Sequence, residues 1–322
     1  MNAKENALRT IKFDNPAYVP RNYPGYFINY NGANHEGYNG GGHNCPVGTH
    51  WTDIWGVEWV KIDPNVMGFH IYHPLAEMED FDHYVWPDPD DQRISGVIYE
   101  AAERMTEQDK QEKFIIGSHR ETLFEKANTL LGMDNLMVYM YTDPDYVKDI
   151  LHRIMDFQLG IAKHYVNCGI EMAQLGDDLG TQHSLLLSKE MIYEFFVPEY
   201  RRLFQFYKDH NVLIRFHSCG HIEPLLEMFI ELGVDILNPV QETANDLEKV
   251  IQVTRGRMAI EGAISTALLE SGPVEAIDAE LKRVIGILDQ NGGFFCCNDQ
   301  AMPIPKQHME AMWAAVEKYG KR

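Results

Sequence analysis

From about Gln92 onward the chain alternates short apolar runs with longer amphipathic stretches, and this alternation restricts its possible folds more than any other feature. The runs are Phe114–Gly117 (FIIG), Met172–Leu175 (MAQL), Val212–Phe216 (VLIRF), Val234–Leu237 (VDIL), Met258–Ile260 (MAI) and Gly293–Cys296 (GFFC). Between them lie the amphipathic stretches Asp145–Val166, Ser188–His210, Ile222–Leu232 and Pro273–Gln290. Ser188 ahead of KEMIYEFF and Ser271-Gly272-Pro273 ahead of VEAI are helix-start signals. Strand, helix, strand repeated in this order predicts an α/β fold whose parallel sheet is covered by helices. Two further candidates, Tyr26–Asn29 and Gly56–Val60, raise the strand number to eight. Eight predicts a single (β/α)8 barrel spanning residues 1–322. No glycine-rich phosphate loop follows the early strands, which counts against a dinucleotide-binding sheet.

Residues 1–92 have a different texture and are expected to form a loop-rich N-terminal part. Asn29–Thr49, rich in Gly, Asn, His and Tyr, has too few aliphatic residues for a core element and reads as a long surface loop. Trp51–Lys61 (WTDIWGVEWVK) reads as a strand with aromatic alternation, and Tyr84–Asp91 (YVWPDPDD) as a turn. Tyr23, Tyr26, Phe27, Tyr30, Tyr38, Trp51, Trp55 and Trp59 cluster in this part. They suit either an apolar ligand pocket or plain anchoring of core and loops. His35, His43 and His50 show no spacing that marks a metal site.

Lys plus Arg number 28 against 48 Asp plus Glu, a formal charge of -20. Such a surface repels phosphate backbones and anionic headgroups, so neither nucleic acid nor membrane is an expected partner. Met1–Arg21 lacks the apolar segment of a signal peptide, and no run of about 18 apolar residues occurs. A cytoplasmic location follows as an expectation. The five cysteines, Cys45, Cys168, Cys219, Cys296 and Cys297, are an odd number with no export signal, so they are expected reduced and available as ligands or nucleophiles.

In a barrel, catalytic groups sit just past the C-terminal ends of the strands. Directly after VLI comes Arg215-Phe216-His217-Ser218-Cys219-Gly220-His221. A His and a Cys two apart at a strand end can point the same way, because strand side chains alternate. Imidazole with thiolate suits zinc, and Cys296 and Cys297, at the end of the last predicted strand, would face the same mouth. Three protein ligands with one open position is the catalytic arrangement. Adjacent residues point to opposite faces, so only one of the cysteine pair is expected to bind, with Cys296 slightly preferred. The plain alternative makes all four buried strand-end residues or small apolar fillers. A second group, Asp177, Asp178 and His183 in GDDLGTQH, could bind substrate, add a metal ligand or shuttle protons. An Asp that caps the following helix beside a solvated neighbour is equally compatible with it. His221, Glu242 and Glu261 are further residues expected at the mouth, and Asp177, Asp178, His221 and Glu261 form the candidate catalytic set.

With these residues in view, the chain resembles the uroporphyrinogen decarboxylase superfamily of (β/α)8 barrels over about Arg93–Tyr319. The resemblance is strongest in GDDLGTQ (176–182), RFHSCGHIEPLLEMFIELGVDILNPVQ (215–241) and IEGAIS (260–265). Decarboxylases of that superfamily carry an Arg-rich motif of the type RQAGRY near the N-terminus, where this chain has YPGYFINYNGANHEG. His217 and Cys219, followed much later by a cysteine, are instead similar to the zinc motif of the methyltransferase branch. That branch includes the corrinoid-dependent methyl transferases of methanogens and acetogens and epoxyalkane:coenzyme M transferase. The resemblance implies zinc on His217, Cys219 and one of Cys296 and Cys297, although NDQAMP departs from the glycine that often follows the family cysteine. It further implies a methyltransferase working with cobalamin (a corrinoid) carried by a separate corrinoid protein, since this chain has no DxHxxG stretch of its own. The expected reaction is demethylation of a methoxylated, aromatic small molecule, which makes the small molecule the methyl donor. The alternatives are transfer from methyl-corrinoid to a thiol acceptor, a decarboxylase-like enzyme, and a non-catalytic barrel that binds zinc or a tetrapyrrole.

Overall fold

The computed structural model describes residues 1–33, 45–66, 68–119 and 121–322. His35, Tyr38 and His43, and most of the expected surface loop, lie outside the described residues. Among the described residues there are ten strands: β1 (Gly25–Asn29), β2 (His50–Thr52), β3 (Glu58–Val60), β4 (Phe69–Tyr72), β5 (Phe114–Ser118), β6 (Met172–Gly176), β7 (Leu213–His217), β8 (Ile236–Val240), β9 (Ala259–Ile264) and β10 (Phe294–Asn298). Seven of them form one sheet in the order β1-β5-β6-β7-β8-β9-β10, every neighbouring pair parallel. Helices link successive strands from β5 onward, the longest being Pro144–Asn167 between β5 and β6. The α/β alternation read from the sequence is therefore present.

The sheet is curled, and side-chain alternation shows how. Phe114, Ile116, Met172, Ile236, Ala259 and Phe295 form one inner cluster, joined from below by Ala7 and Ile11 of the first helix, Ala3–Ile11. The intervening residues, among them Ile115, Ala173, Ile214, Phe216, Leu237, Ile260 and Phe294, belong to the larger cluster packed under the helices. A flat sheet could not bring residues of β5 and β10 together. Here the Tyr23 ring meets Phe114 at 6.2 Å and Phe295 at 5.8 Å, both edge-on. The Cys296 N–H donates to the Pro20 carbonyl at 2.9 Å, so the segment before β1 meets the free edge of β10.

Among the described residues the parallel sheet has seven strands where eight were expected. Gly56–Val60 does not enter the parallel sheet; β3 pairs antiparallel with β2 and β4 in a separate three-stranded sheet. The reason lies inside WTDIWGVEWVK. Asp53 Oδ1 accepts from the N–H groups of Trp55 (2.8 Å) and Val57 (3.1 Å), and Gly56 takes a positive φ of 73°. An aspartate turn closed by glycine folds the run back on itself. The aromatic alternation is thus that of a hairpin, with Trp51 and Trp59 stacked at 6.1 Å. No helix among the described residues is long and apolar enough to cross a membrane.

Candidate metal centre at the strand ends

β6 ends at Gly176 and β7 at His217, which are paired in register, and His217 pairs in turn with Asn238 of β8. A Cβ on Gly176 would stand 2.9 Å from the His217 Cβ, so glycine is what lets the imidazole rise between the strands. The loops that follow are pressed backbone to backbone. A Cβ on Gly220, whose φ is 85°, would lie 2.5 Å from the Gly180 carbonyl. Glycine at 180 and 220 therefore fixes GDDLG against HSCGH. Around this contact the Cys219 N–H donates to Asp178 Oδ1 at 2.9 Å and the Leu179 N–H to Ser218 Oγ at 3.1 Å. From the β8 side, Gln241 Oε1 accepts from the Gly220 N–H (2.6 Å), and Asn245 Nδ2 donates to the Gly220 carbonyl (2.9 Å).

Among the described residues, one group of His, Cys, Asp or Glu could hold a metal ion: Asp178, His217 and Cys219, whose ligand atoms all lie within 4.8 Å of one another. His217 Nε2 is 3.3 Å from Cys219 Sγ and 3.4 Å from Asp178 Oδ1. His217 Nδ1–H donates to Asn238 Oδ1 at 2.8 Å, which fixes the ring's orientation and turns Nε2 toward the cluster. Ligating histidines are usually oriented in this manner. Gln300 Nε2 donates to Cys219 Sγ at 3.5 Å. The side chains of His217 and Asp178 keep 40% and 42% of their surface, so the cluster opens to the mouth. Burial disfavours the imidazolium, but hydrogen bonds to Asp178 and Cys219 outweigh it and raise the metal-free His217 to about 10. The half-buried Asp178 carboxyl loses some solvation, but its bonds to His217 and the Cys219 N–H outweigh this and hold it below the usual carboxylate range.

The other candidates are placed elsewhere. Asp177 is fully buried. Its carboxyl accepts from the N–H groups of Leu123 and Glu125 at the start of the helix Phe124–Leu131, and from the Tyr200 hydroxyl at 2.7 Å. Burial pushes it up to about 7. His221 Nδ1 donates to the Ala244 carbonyl at 2.6 Å, and His183 is exposed. Glu261 lies inside the curl in a two-pronged pair with Arg215, at 2.7 and 3.0 Å. Glu242 pairs with Arg283. Of the cysteine pair, Cys296 is fully buried in the outer cluster beneath the helices, away from His217. Cys297 follows the inward alternation of Phe295; its charged neighbours are Glu261, Arg215 and Asp299, and burial pushes its thiol up. Neither joins the His217 cluster, and among the described residues no two cysteines form a disulfide.

Three neighbours of the cluster escape a motif-based reading. Asn238 and Gln300 are amides and carry no ligand signature. Glu125, raised to about 9 by burial and by the Asp177 and Asp178 carboxylates, looks in sequence like an ordinary acid in a helix's first turn. The next residue, Lys126, is buried, paired with Glu121, and lies 5.4 Å over the Trp55 ring. Trp55 is a wall of an open cavity of about 680 Å3, shared with Tyr72, Tyr84, Trp86, Asp53 and Arg93. Tyr26 and Tyr30, by contrast, anchor core and loop: Tyr26 donates to the Ala101 carbonyl and Tyr30 packs on Phe157.

The sequence profile described as uroporphyrinogen decarboxylase (URO-D) matches residues 59–319. Among solved structures, a methyltransferase from Methanosarcina mazei aligns with a TM-score of 0.66 at 20% identity, covering 83% of this chain and 76% of that one. A B12-independent methionine synthase from Shewanella sp. W3-18-1, in complex with selenomethionine, aligns with a TM-score of 0.46 at 13% identity, covering 65% and 62%. No curated protein sequence matches. At such identities the first likeness speaks for the fold alone.

Proposed function

The chain belongs to the uroporphyrinogen decarboxylase family, and from that premise we propose that it is a zinc-dependent methyltransferase that works with a separate corrinoid protein and demethylates a methoxylated, aromatic small molecule. The observation that carries this reading is the open cluster of His217, Cys219 and Asp178 at the strand ends. Imidazole nitrogen, thiolate and carboxylate are the donors zinc takes, and the donor bond from His217 Nδ1 to Asn238 leaves Nε2 free to ligate. His217 and Cys219 would hold the metal. Bound there, zinc supplies Lewis acidity to an ether oxygen, or keeps a thiol ionised at neutral pH.

The protein's own groups do the rest. Asn238 keeps the imidazole in one orientation, and Gln300 donates to the Cys219 sulfur. Glu125, which burial and the Asp177 and Asp178 carboxylates raise to about 9 in the metal-free protein, stands within electrostatic reach of Asp178 and His217. The aromatic cavity supports an aryl substrate. Glu125 senses Asp178, and the adjacent Lys126 covers Trp55, a wall of that cavity. A surface with a formal charge of -20 suits a separate carrier protein with a basic docking face.

The test combines metal content and turnover. Zinc should be near one per chain and fall sharply in Cys219→Ala. Mixing the zinc-loaded protein with a reduced corrinoid protein and a panel of aryl methyl ethers should methylate the corrinoid, read from its visible spectrum. Thiols that instead strip the methyl group from the methylated corrinoid would reverse the direction. Release of carbon dioxide from uroporphyrinogen, with no methyl transfer, would replace the reading altogether.

A further inference from the structure

We propose that Asp178 is a direct ligand of the metal, so that the site is a nitrogen–sulfur–oxygen set with one sulfur and Cys297 lies outside it. The inference rests on the metal reading above and specifies its donor set. Tetrahedral angles with zinc bonds of about 2.0–2.3 Å place neighbouring ligand atoms about 3.3–3.6 Å apart. The observed separations are 3.3 Å from His217 Nε2 to Cys219 Sγ and 3.4 Å from His217 Nε2 to Asp178 Oδ1, with the third edge inside 4.8 Å.

The carboxylate is held in place by the backbone. Asp178 Oδ1 accepts from the Cys219 N–H at 2.9 Å, across the contact that Gly180 and Gly220 permit. Asp177 points the other way into a helix start, which leaves Asp178 as the carboxylate of that loop directed at the mouth. Cys297 stands instead with Arg215, Glu261 and Tyr23 inside the curl. One thiolate donates less charge than two, so the metal would keep more of its power to polarise an ether oxygen.

The full chain loaded with zinc, or with cobalt(II) as a spectroscopic stand-in, tests this without turnover. X-ray absorption should count one sulfur per zinc, at about 2.3 Å, with the remaining ligands nitrogen or oxygen. The sulfur-to-cobalt charge-transfer band should vanish in Cys219→Ser and persist unchanged in Cys297→Ser. Asp178→Asn keeps an acceptor for the Cys219 N–H but binds zinc poorly. Its affinity should fall by more than the about 10–100-fold typical of an outer-shell change, for which Asn238→Ala is the yardstick. Two sulfurs per zinc, or a weakened band in Cys297→Ser with full affinity in Asp178→Asn, would overturn the assignment of Asp178 and leave the metal in place. Metal retained at full stoichiometry in both His217→Ala and Cys219→Ser would overturn the metal centre itself.

Discussion

Asp177 and Asp178 are adjacent in the chain and do opposite work. The first serves as a structural acceptor at a helix start, and the second faces the imidazole and thiol. Asp177→Ala should therefore cost about 2–3 kcal/mol of stability, as a lost cap and three donors left without a buried acceptor imply. Chemical denaturation would read the loss, while zinc per folded chain should remain unchanged. Glu125 carries a pH signature of its own. A glutamate ordinarily titrates near 4.5, and burial with two neighbouring carboxylates raises this one to about 9. Its folded pKa is raised, so its contribution to stability is complete below about pH 4.5 and is lost as pH climbs through about 9. In the metal-free protein, Glu125→Gln should flatten the decline of the unfolding temperature between those limits; parallel curves for variant and wild type would mean that Glu125 is ionised in the folded state. His217, Cys219 and Asp178 were all legible as candidates, because strand-end spacing and paired acids are patterns in sequence. That Asp177 turns inward was not. Its partners Leu123, Glu125 and Tyr200 are more than 20 residues away, and no local pattern encodes such a meeting.

At the scale of elements, the strands of the parallel sheet were legible because both faces are buried and each reads as a continuous apolar run. The fully buried Phe216 shows what the outer face contributes. Its ring meets Tyr200 at 5.7 Å, Phe204 at 5.7 Å and Phe229 at 5.2 Å, joining β7 to the helices on either side of it. Phe216→Ala should cost about 3–5 kcal/mol, the range for removing an aromatic ring from a packed core. Because His217 and Cys219 follow directly, metal affinity should fall as well; a full loss of stability with unchanged affinity would show that the loop is held by Gln241 and Asn245 alone. The WTDIWGVEWVK hairpin reads as a single strand because alternation is the same in one strand or two. Asp53 and Gly56 were the turn signal, and they were outweighed by the aromatic pattern. Which of Cys296 and Cys297 faces inward depends on the register of β10 with β9, Cys296 opposite Gly262 and Cys297 opposite Ala263, and spacing along one strand does not contain that register.

For the whole molecule, seven parallel strands curl until the ends of the sheet face one another, and one tyrosine bridges them. Tyr23 touches Phe114 and Phe295, and its neighbours include Arg215, Glu261 and Cys297. Tyr23→Ala should destabilise by about 3–5 kcal/mol, and the Cys296 amide, bonded to Pro20, should then lose protection against hydrogen exchange before amides in β6 or β7. An even loss across all strands would argue against a weak joint there. The Arg215–Glu261 pair crosses the same interior, and removing one partner alone strands a buried charge. The seven-strand count and the joint were hidden from a single-sequence reading, because the closing contacts come from Pro20 and Tyr23, which belong to no strand.

The touching glycines at 180 and 220 have one last implication. With no side chain to cushion them, the two loops cannot slide independently, so a shift at the helix that Asp177 caps, or at the Asn245 anchor, reaches the imidazole and the thiol together. Even alanine at either position would prise them apart and spoil the site from a distance, with every presumptive ligand still in the chain.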